Sequence, residues 1–296
     1  YLVANTKGNF VKDQLFYNTV FVKLIGEKDS NREEVFEKIT WINVLDRMWF
    51  EELKNLFENS IKTLEMQLSG IPSPDWKIDV VIWNEAWGTI IHEAVWHWLE
   101  ADLQNSSIYK DRIWEMVASP LVTIVDNPTL ANHRGYYEFD HEWFSAQNTV
   151  LIDKWVLVSY LHNEKTAQKF WVLSTWHGRR ETYRHKTLVR MWNTYMLPWT
   201  SKKEDVISSV KSWLYISRMW WGQVNTVTWD FVFKVQSGYL IEDWKLTKNV
   251  RWAMLSGNWP EMLNEITAIC DDLNFFDWWT CGKWQSMPVS DATPTV

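Results

Sequence analysis

The stretch Gly88–Asp102 reads GTIIHEAVWHWLEAD, and it decides more about this chain than any other. Its flanks Thr89, Ile90, Ile91, Ala94 and Val95 are apolar or small, so the spacing predicts a half-buried helical run over Glu85–Leu103. His92, Glu93 and His97 interrupt it in the pattern H-E-x-x-x-H. Imidazole nitrogens are good zinc ligands, and a carboxylate beside them can take a proton from an attacking water. Buried ionisable groups need partners, and a metal is one. On an ideal helix, positions four apart share a face and positions five apart do not. Two histidines at this spacing grip one ion only if the helix is distorted between them, by a bulge or by ending there. Glu100, three residues past His97, either orients a ligand imidazole or is solvated. The plain alternative to a metal site is an amphipathic helix with surface His and Glu.

Outward from this run, Asp79–Trp83 (DVVIW) reads as a buried strand feeding it. Pro120–Asp126, Thr149–Ile152, Val156–Tyr160, Phe231–Val235 and Gly238–Glu242 read as further strands, and Tyr1–Gly26 as strands with a turn at Lys7-Gly8. Asn31–Leu68 predicts a long charged helix, because Val35, Ile39, Leu53, Leu56, Phe57, Ile61 and Leu64 recur at three-to-four spacing. Lys202–Tyr215 and Pro260–Cys270 also read as helices. Ile71-Pro72-Ser73-Pro74-Asp75 is a clear breaker and the best boundary. Short strands joined by turns, with few long helices between them, predict an α+β layout with a largely antiparallel sheet.

Composition narrows the function. The 296 residues are 46% hydrophobic, enough for a sizeable core. A net charge of −7 argues against nucleic-acid binding, which needs a basic face. No apolar run is long enough to span a membrane, and no N-terminal signal segment is present. Two cysteines, Cys270 and Cys281, cannot staple a fold of this size and fit a reducing cytoplasm.

Tryptophan usage is abnormal, with 24 tryptophans against 10 glycines. Ile241–Leu246 reads as a hairpin with Asp243-Trp244 where Asp-Gly would supply positive φ, and Ile152–Leu157 repeats this with Lys154-Trp155. Gly257-Asn258-Trp259-Pro260 places a bulky ring in a turn, and Trp220-Trp221 and Trp278-Trp279 are doublets in loop-like surroundings. A carbohydrate platform of exposed rings is one reading. The plainer one is that many of these are glycine positions, since they follow turn logic rather than a stripe on one face.

Five blocks in order then carry a resemblance. They are TIIHEAVWHWLEAD, RIWEMVASPLVTIVDNPTL, STWHGRRETYRHKTLVRMWNTYML, the run from Trp220 to Leu263 that opens WWGQV, and WTCGKWQSMPVSDATPTV. The chain resembles the TldD/PmbA family, also called modulator of DNA gyrase, whose metal helix typically reads HEAxGHGLE. The tryptophans fall where that family commonly has glycine, Trp96 among them. The resemblance is strongest over 76–296. It implies a C-terminal catalytic metallopeptidase domain at 75–296, with a largely antiparallel sheet and a metal-binding helix. This is preceded, at 1–74, by the tail of an α/β N-terminal domain whose start is absent.

The family has a peptidase subunit that carries HExxxH and a non-catalytic partner that lacks it. This chain keeps the motif and so resembles the peptidase. The resemblance implies one Zn²⁺ per chain held by His92, His97 and Cys281, the cysteine mapping onto the family's TCGK-like signature. Glu93 would be the general base. Cys270 lacks such a motif and reads as a small buried hydrophobe. Arg180, Tyr183 and His185 are candidates for oxyanion or substrate contacts within the run Arg179, Arg180, Arg184, His185, Arg190, which otherwise reads as a salt-bridged face. The implied activity is hydrolysis of short or unfolded peptides, in peptide maturation and small-protein degradation. The implied assembly is with an inactive PmbA/TldE-like paralogue, or with itself. The rival readings are a non-catalytic peptide-binding subunit and a regulator of a DNA enzyme, the latter without support from the acidic charge.

Overall fold

A computed structural model describes residues 1–42, 50–73, 78–225 and 228–296, with backbone alone at 89, 90, 94, 220, 221, 278 and 279. The proposed breaker at 71–75 therefore lies partly outside the described residues.

The architecture is mixed and dominated by strands, in two open six-stranded sheets. One runs Asn274–Gly282, Ser286–Thr293, Asn193–Met196, Ile124–Asp126, Thr149–Asp153, Val156–Leu157, antiparallel except where Asn193–Met196 meets Ser286–Thr293. The other runs Ile71–Pro72, Lys245–Arg251, Asp230–Glu242, Ser212–Val224, Val80–Ile82, with Met254–Asn258 also pairing the long central strand. Three two-stranded ribbons complete the described strands. Both sheets supply one core. Ile124, Leu151 and Ile152 of the first and Leu214, Ile216, Phe231 and Val235 of the second pack with Ile91, Val95, Trp96 and Leu99. The helix Asn84–Ala94 lies where it touches both sheets, so the histidine run sits at the centre of the fold.

The helix starts where the sequence places it. Val80–Ile82 pairs in parallel with Leu214–Ile216, and Ile82 exchanges backbone bonds of 2.8 and 3.0 Å with Val296. This pins the strand from which the helix springs two residues later.

Two sequence expectations are corrected. Asn31–Leu68 is not one helix: Asn31–Ile42 is a strand paired over its whole length with Tyr17–Lys28, and the helix is Phe50–Ser69. Val35 and Ile39 fit both a helical spacing and a two-residue period. A two-residue turn with positive φ at Asp29 (48°) and Ser30 (71°) decides for the hairpin. Likewise Lys202–Tyr215 is helical only over Lys203–Ser209, after which Ser212–Val224 is a sheet strand. The helix near the C-terminal hairpin spans Trp259–Asn264, shorter than Pro260–Cys270. Phe231–Val235 and Gly238–Glu242 merge into the single strand Asp230–Glu242.

The tryptophan turns behave as their neighbours predict. Lys154 and Trp155 have φ of 42° and 71°, and Asp243 and Trp244 have 48° and 64°, each pair closing a two-residue hairpin. Trp171 sits at φ 57° as the left-handed residue that ends the helix Glu164–Phe170, a place where glycine is the default. A bulky L-residue held there costs on the order of 1–3 kcal/mol. Other tryptophan expectations do not hold. Trp259 is fully buried at the start of a helix, and both doublets lie in strand backbone, within Ser212–Val224 and Asn274–Gly282.

Candidate metal centre

The α-helix ends at Ala94, before continued α-helical winding would carry His97 onto a different face from His92. Val95 still donates to Ile91 O (2.9 Å), but Trp98 donates three residues back to Val95 O (3.1 Å). Residues Trp96–Leu99 form a 3₁₀ turn. This change of winding satisfies the geometric condition set by the five-residue spacing. The His92 and His97 rings meet edge to face, with centroids 4.9 Å apart and planes at 88°.

Cys281 reaches them from the far end of the chain. It lies near the end of Asn274–Gly282, which pairs with Ser286–Thr293 so that Cys281 faces Met287. Its Sγ is 3.1 Å from His97 Nε2. One ligand atom from each of His92, His97 and Cys281 lies within 4.8 Å of the others, and this trio is the one potential metal cluster among the described residues. Tetrahedral zinc, with Zn–N near 2.0–2.1 Å and Zn–S near 2.3 Å, spaces N and S ligand atoms about 3.5 Å apart. Two imidazoles and a thiolate therefore fit zinc in number, type and spacing, and leave a fourth position open.

The two imidazoles are each backed by a carboxylate. His92 Nδ1 lies 2.9 Å from Asp291 Oδ1, both buried. His97 Nδ1 lies 3.0 Å from Glu100 Oε2, and Glu100 is fully buried. Of the two roles open to Glu100 from sequence, solvation is ruled out by that burial. Glu100 is charge-balanced by Lys283 Nζ at 2.8 Å and Arg190 Nε at 3.4 Å. Lys283 also reaches Asp102 (2.7 Å) and Val189 O (3.0 Å). Arg190 donates to Gln285 O (2.7 Å) and to Cys281 O (3.0 Å), tying the thiol's own backbone to the same network.

These contacts set the protonation pattern. Burial pushes the Cys281 thiol up, but the imidazoles of His92 and His97 outweigh it and bring the thiol down to about 5. Burial lowers His97, and Glu100 with Cys281 reverses that and raises it to about 9. Glu100, despite burial, is held at about 2 by Lys283, His97 and Arg190. His92 is raised by Asp291 and Cys281 against its burial. Glu93, one residue past His92, is half-buried and makes no hydrogen bond or ion pair among the described residues.

The other candidates lie apart. Arg180 donates to His141 O (2.8 Å). Tyr183 is 81% exposed and accepts from Arg184, while exposed His185 pairs with Thr182 Oγ1 at 2.8 Å. None of these contacts touches the trio. The arginine run is not a salt-bridged face: Arg179 and Arg190 are buried, and Arg179 caps carbonyls of Met191 and Pro288 with its guanidinium over Trp192. His177 is fully buried against Asp126 at 3.1 Å. Asp291 and Lys283 were not singled out by sequence reasoning. Lys283 stands two residues from Cys281 and was available as a signal, whereas nothing local marks Asp291.

The PmbA/TldA metallopeptidase C-terminal domain family matches residues 76–296. A metalloprotease TldD homolog of Haemophilus influenzae is 37% identical over 247 residues, covering 81% of this chain and 50% of its own length. One from Buchnera aphidicola is 31% identical over 306 residues, covering 100% and 63%. A zinc metalloprotease TldD homolog of Saccharolobus solfataricus is 25% identical over 83% of the chain and 55% of its own length. The chain thus spans about half to two thirds of these relatives. Among solved structures, a Thermotoga maritima protein described as a modulator of a DNA gyrase superposes with TM-score 0.81 at 20% identity, over 99% of this chain and 65% of its own. TldE from Thermococcus kodakarensis superposes with 0.80 at 15%, over 100% and 65%. At those identities the likeness is one of fold.

Proposed function

We propose, from the premise that this chain belongs to the PmbA/TldD metallopeptidase family, that it is the catalytic part of a zinc-dependent peptidase acting on short or unfolded peptides. The observation that carries this is the convergence of His92, His97 and Cys281, across 184 residues of sequence, beside Glu93. In this reading residues 1–74 end an N-terminal domain and 75–296 form the catalytic one.

His92 and His97 would hold one zinc through Nε2, since their Nδ1 atoms are committed to Asp291 and Glu100. Cys281 would bind as thiolate, the form its lowered pKa favours at neutral pH. The bound ion would polarise the scissile carbonyl and make water a better nucleophile. Glu93 takes the water's proton and passes it to the leaving amine. Its place next to a ligand in the sequence and its half-burial support that role. Tyr183 and His185, exposed on their turn, are available to a peptide, as is half-buried Arg180 to a carboxylate or oxyanion. Open sheet edges suit an extended chain, paired through its backbone with little sequence preference. The protein would work in the cytoplasm, where its two free thiols persist, as a heterodimer with an inactive TldE-like paralogue or as a homo-oligomer. Its roles would be peptide maturation and degradation of small proteins.

Glu93→Ala tests the assignment. It is expected to keep stoichiometric zinc and lose cleavage of an unfolded peptide. Undiminished turnover would remove Glu93 from the reaction, and a parent chain without zinc would favour a non-catalytic peptide-binding subunit.

A further inference from the structure

We propose that Asp291 is the positioning residue that fixes His92, and that Gly88 is the space that lets it do so. The inference rests on the zinc reading above. Asp291 lies on Ser286–Thr293, at the register position opposite Phe276 and parallel to Thr194. It comes from a different element than either histidine, so the sheet, and not the helix, sets its position. Its carboxylate faces His92 Nδ1 at 2.9 Å with both groups out of water. A hydrogen bond at Nδ1 fixes which ring nitrogen is left for the ion and the direction in which it points. His97 receives the same support from Glu100, but through a neighbour three residues on in its own chain segment. The two ligands of one ion are thus oriented from two independent directions.

Gly88 stands one helical turn before His92. A Cβ there would lie 3.3 Å from Asp291 Cβ and 3.2 Å from the Phe276 ring. The missing side chain lets the helix approach the strand closely enough for His92 and Asp291 to meet. A methyl at 88 makes the Phe276 ring and Asp291 give way by a few tenths of an ångström, at the point where the carboxylate must reach.

The test is zinc affinity of the full chain, measured by competition with a chromophoric chelator, together with the visible spectrum of the cobalt-substituted protein. Asp291→Ala is expected to weaken zinc by about 10- to 100-fold and to change the cobalt ligand-field bands. Asp291→Asn, which keeps an acceptor oxygen at similar volume, is expected to recover much of that loss. Gly88→Ala is expected to fall between them. A structural role alone would lower thermal stability in all three without altering the cobalt bands of the folded fraction. Parent-like zinc affinity and cobalt bands in Asp291→Ala overturn this inference and leave the zinc reading standing. A parent chain that binds neither ion overturns both.

A separate observation concerns the backbone at the tryptophans. Among the described residues nine of them, Trp114, Trp143, Trp155, Trp171, Trp176, Trp229, Trp244, Trp252 and Trp284, have positive φ, whereas a single glycine, Gly8, does. At the most exposed of them burial does not compensate: Trp171 is 93% exposed and Trp284 78%. Elsewhere the fold buries the indole N–H groups of Trp87, Trp96, Trp98, Trp192 and Trp259 without acceptors among the described residues. Hairpin turns and a helix end demand glycine for its freedom at positive φ, and ring contacts such as Trp229 on Trp98 or Trp176 on Phe144 do not relieve that backbone strain. We infer that these nine positions are glycine in the protein its own cell makes, from a codon its translation machinery decodes as glycine.

Tandem mass spectrometry of the protein isolated from its source cells reads the positions directly. Glycine is expected at all nine, and tryptophan there overturns the inference. A chain carrying glycine at the nine sites is expected to unfold at a higher denaturant midpoint than the tryptophan chain. An equal or lower midpoint counts against it.

Discussion

The metal centre and the hairpin turns lie in one fold but obey different rules. At the metal centre the two imidazoles and the carboxylate behind His97 are all paired: His92 has Asp291, His97 has Glu100, and Glu100 has Lys283 and Arg190. At the turns the backbone conformation is sound and the side chain is wrong for it, as at Trp155 and Trp244. Local sequence and global fold agree in the first region and conflict in the second. The lesson is that topology is set by patterning and pairing, which survive misplaced residues, whereas stability is set site by site.

That comparison can be broken first at the charged network. Glu100→Ala removes a fully buried carboxylate and leaves Arg190 with carbonyl partners only. It is expected to destabilise the chain by about 3–5 kcal/mol, read as a fall in denaturation midpoint. A loss below about 1 kcal/mol would mean that the network is not stabilised by its internal pairing. Next comes Cys281→Ser, which replaces a thiolate with a neutral hydroxyl. Zinc affinity should fall by more than the roughly 100-fold upper figure for a carboxylate behind a ligand. Retention of full affinity would move the third ligand elsewhere.

The same network makes metal binding pH-dependent. In the metal-free chain His97 titrates near 9, raised from its ordinary value, so its pairing adds stability that is complete below about 6.5 and fades as pH rises through 9. Zinc must displace that proton. His92, raised too, must also lose its proton, so affinity should rise between pH 7 and 9 by about tenfold per unit or more. Cys281, at about 5, is already thiolate throughout that range and adds no slope. A flat affinity across the window would contradict the assignment of His97.

The smallest effects sharpen the other side. Trp155→Gly and Trp244→Gly are each expected to stabilise the chain by on the order of 1 kcal/mol, because glycine accepts positive φ without strain. Destabilisation by either change would show that the ring packs usefully despite its backbone.

Much of this was legible in the sequence because it was local. His92, Glu93 and His97 sit within six residues, and their spacing foretold the break that the structure shows at Val95. Asp-Trp and Lys-Trp turns were readable from their flanking strands. What depended on distant pairing was not. Cys281 was reached by family resemblance, and Asp291 not at all, because a hairpin near the chain's end carries both to the helix. Asn31–Ile42 reads as helix in sequence because Val35 and Ile39 satisfy two periods at once, and the pairing with Tyr17–Lys28 that settles the matter is not visible in that spacing. The strand beginning at Ser212 was hidden for a similar reason, following seven truly helical residues.

X-ray absorption spectroscopy of the purified chain, with metal content measured on the same sample, tests the central claim most directly. The account predicts one zinc per chain, with two imidazole nitrogens near 2.0–2.1 Å and one sulfur near 2.3 Å. A shell without sulfur, or a folded chain that takes up no zinc, would contradict it.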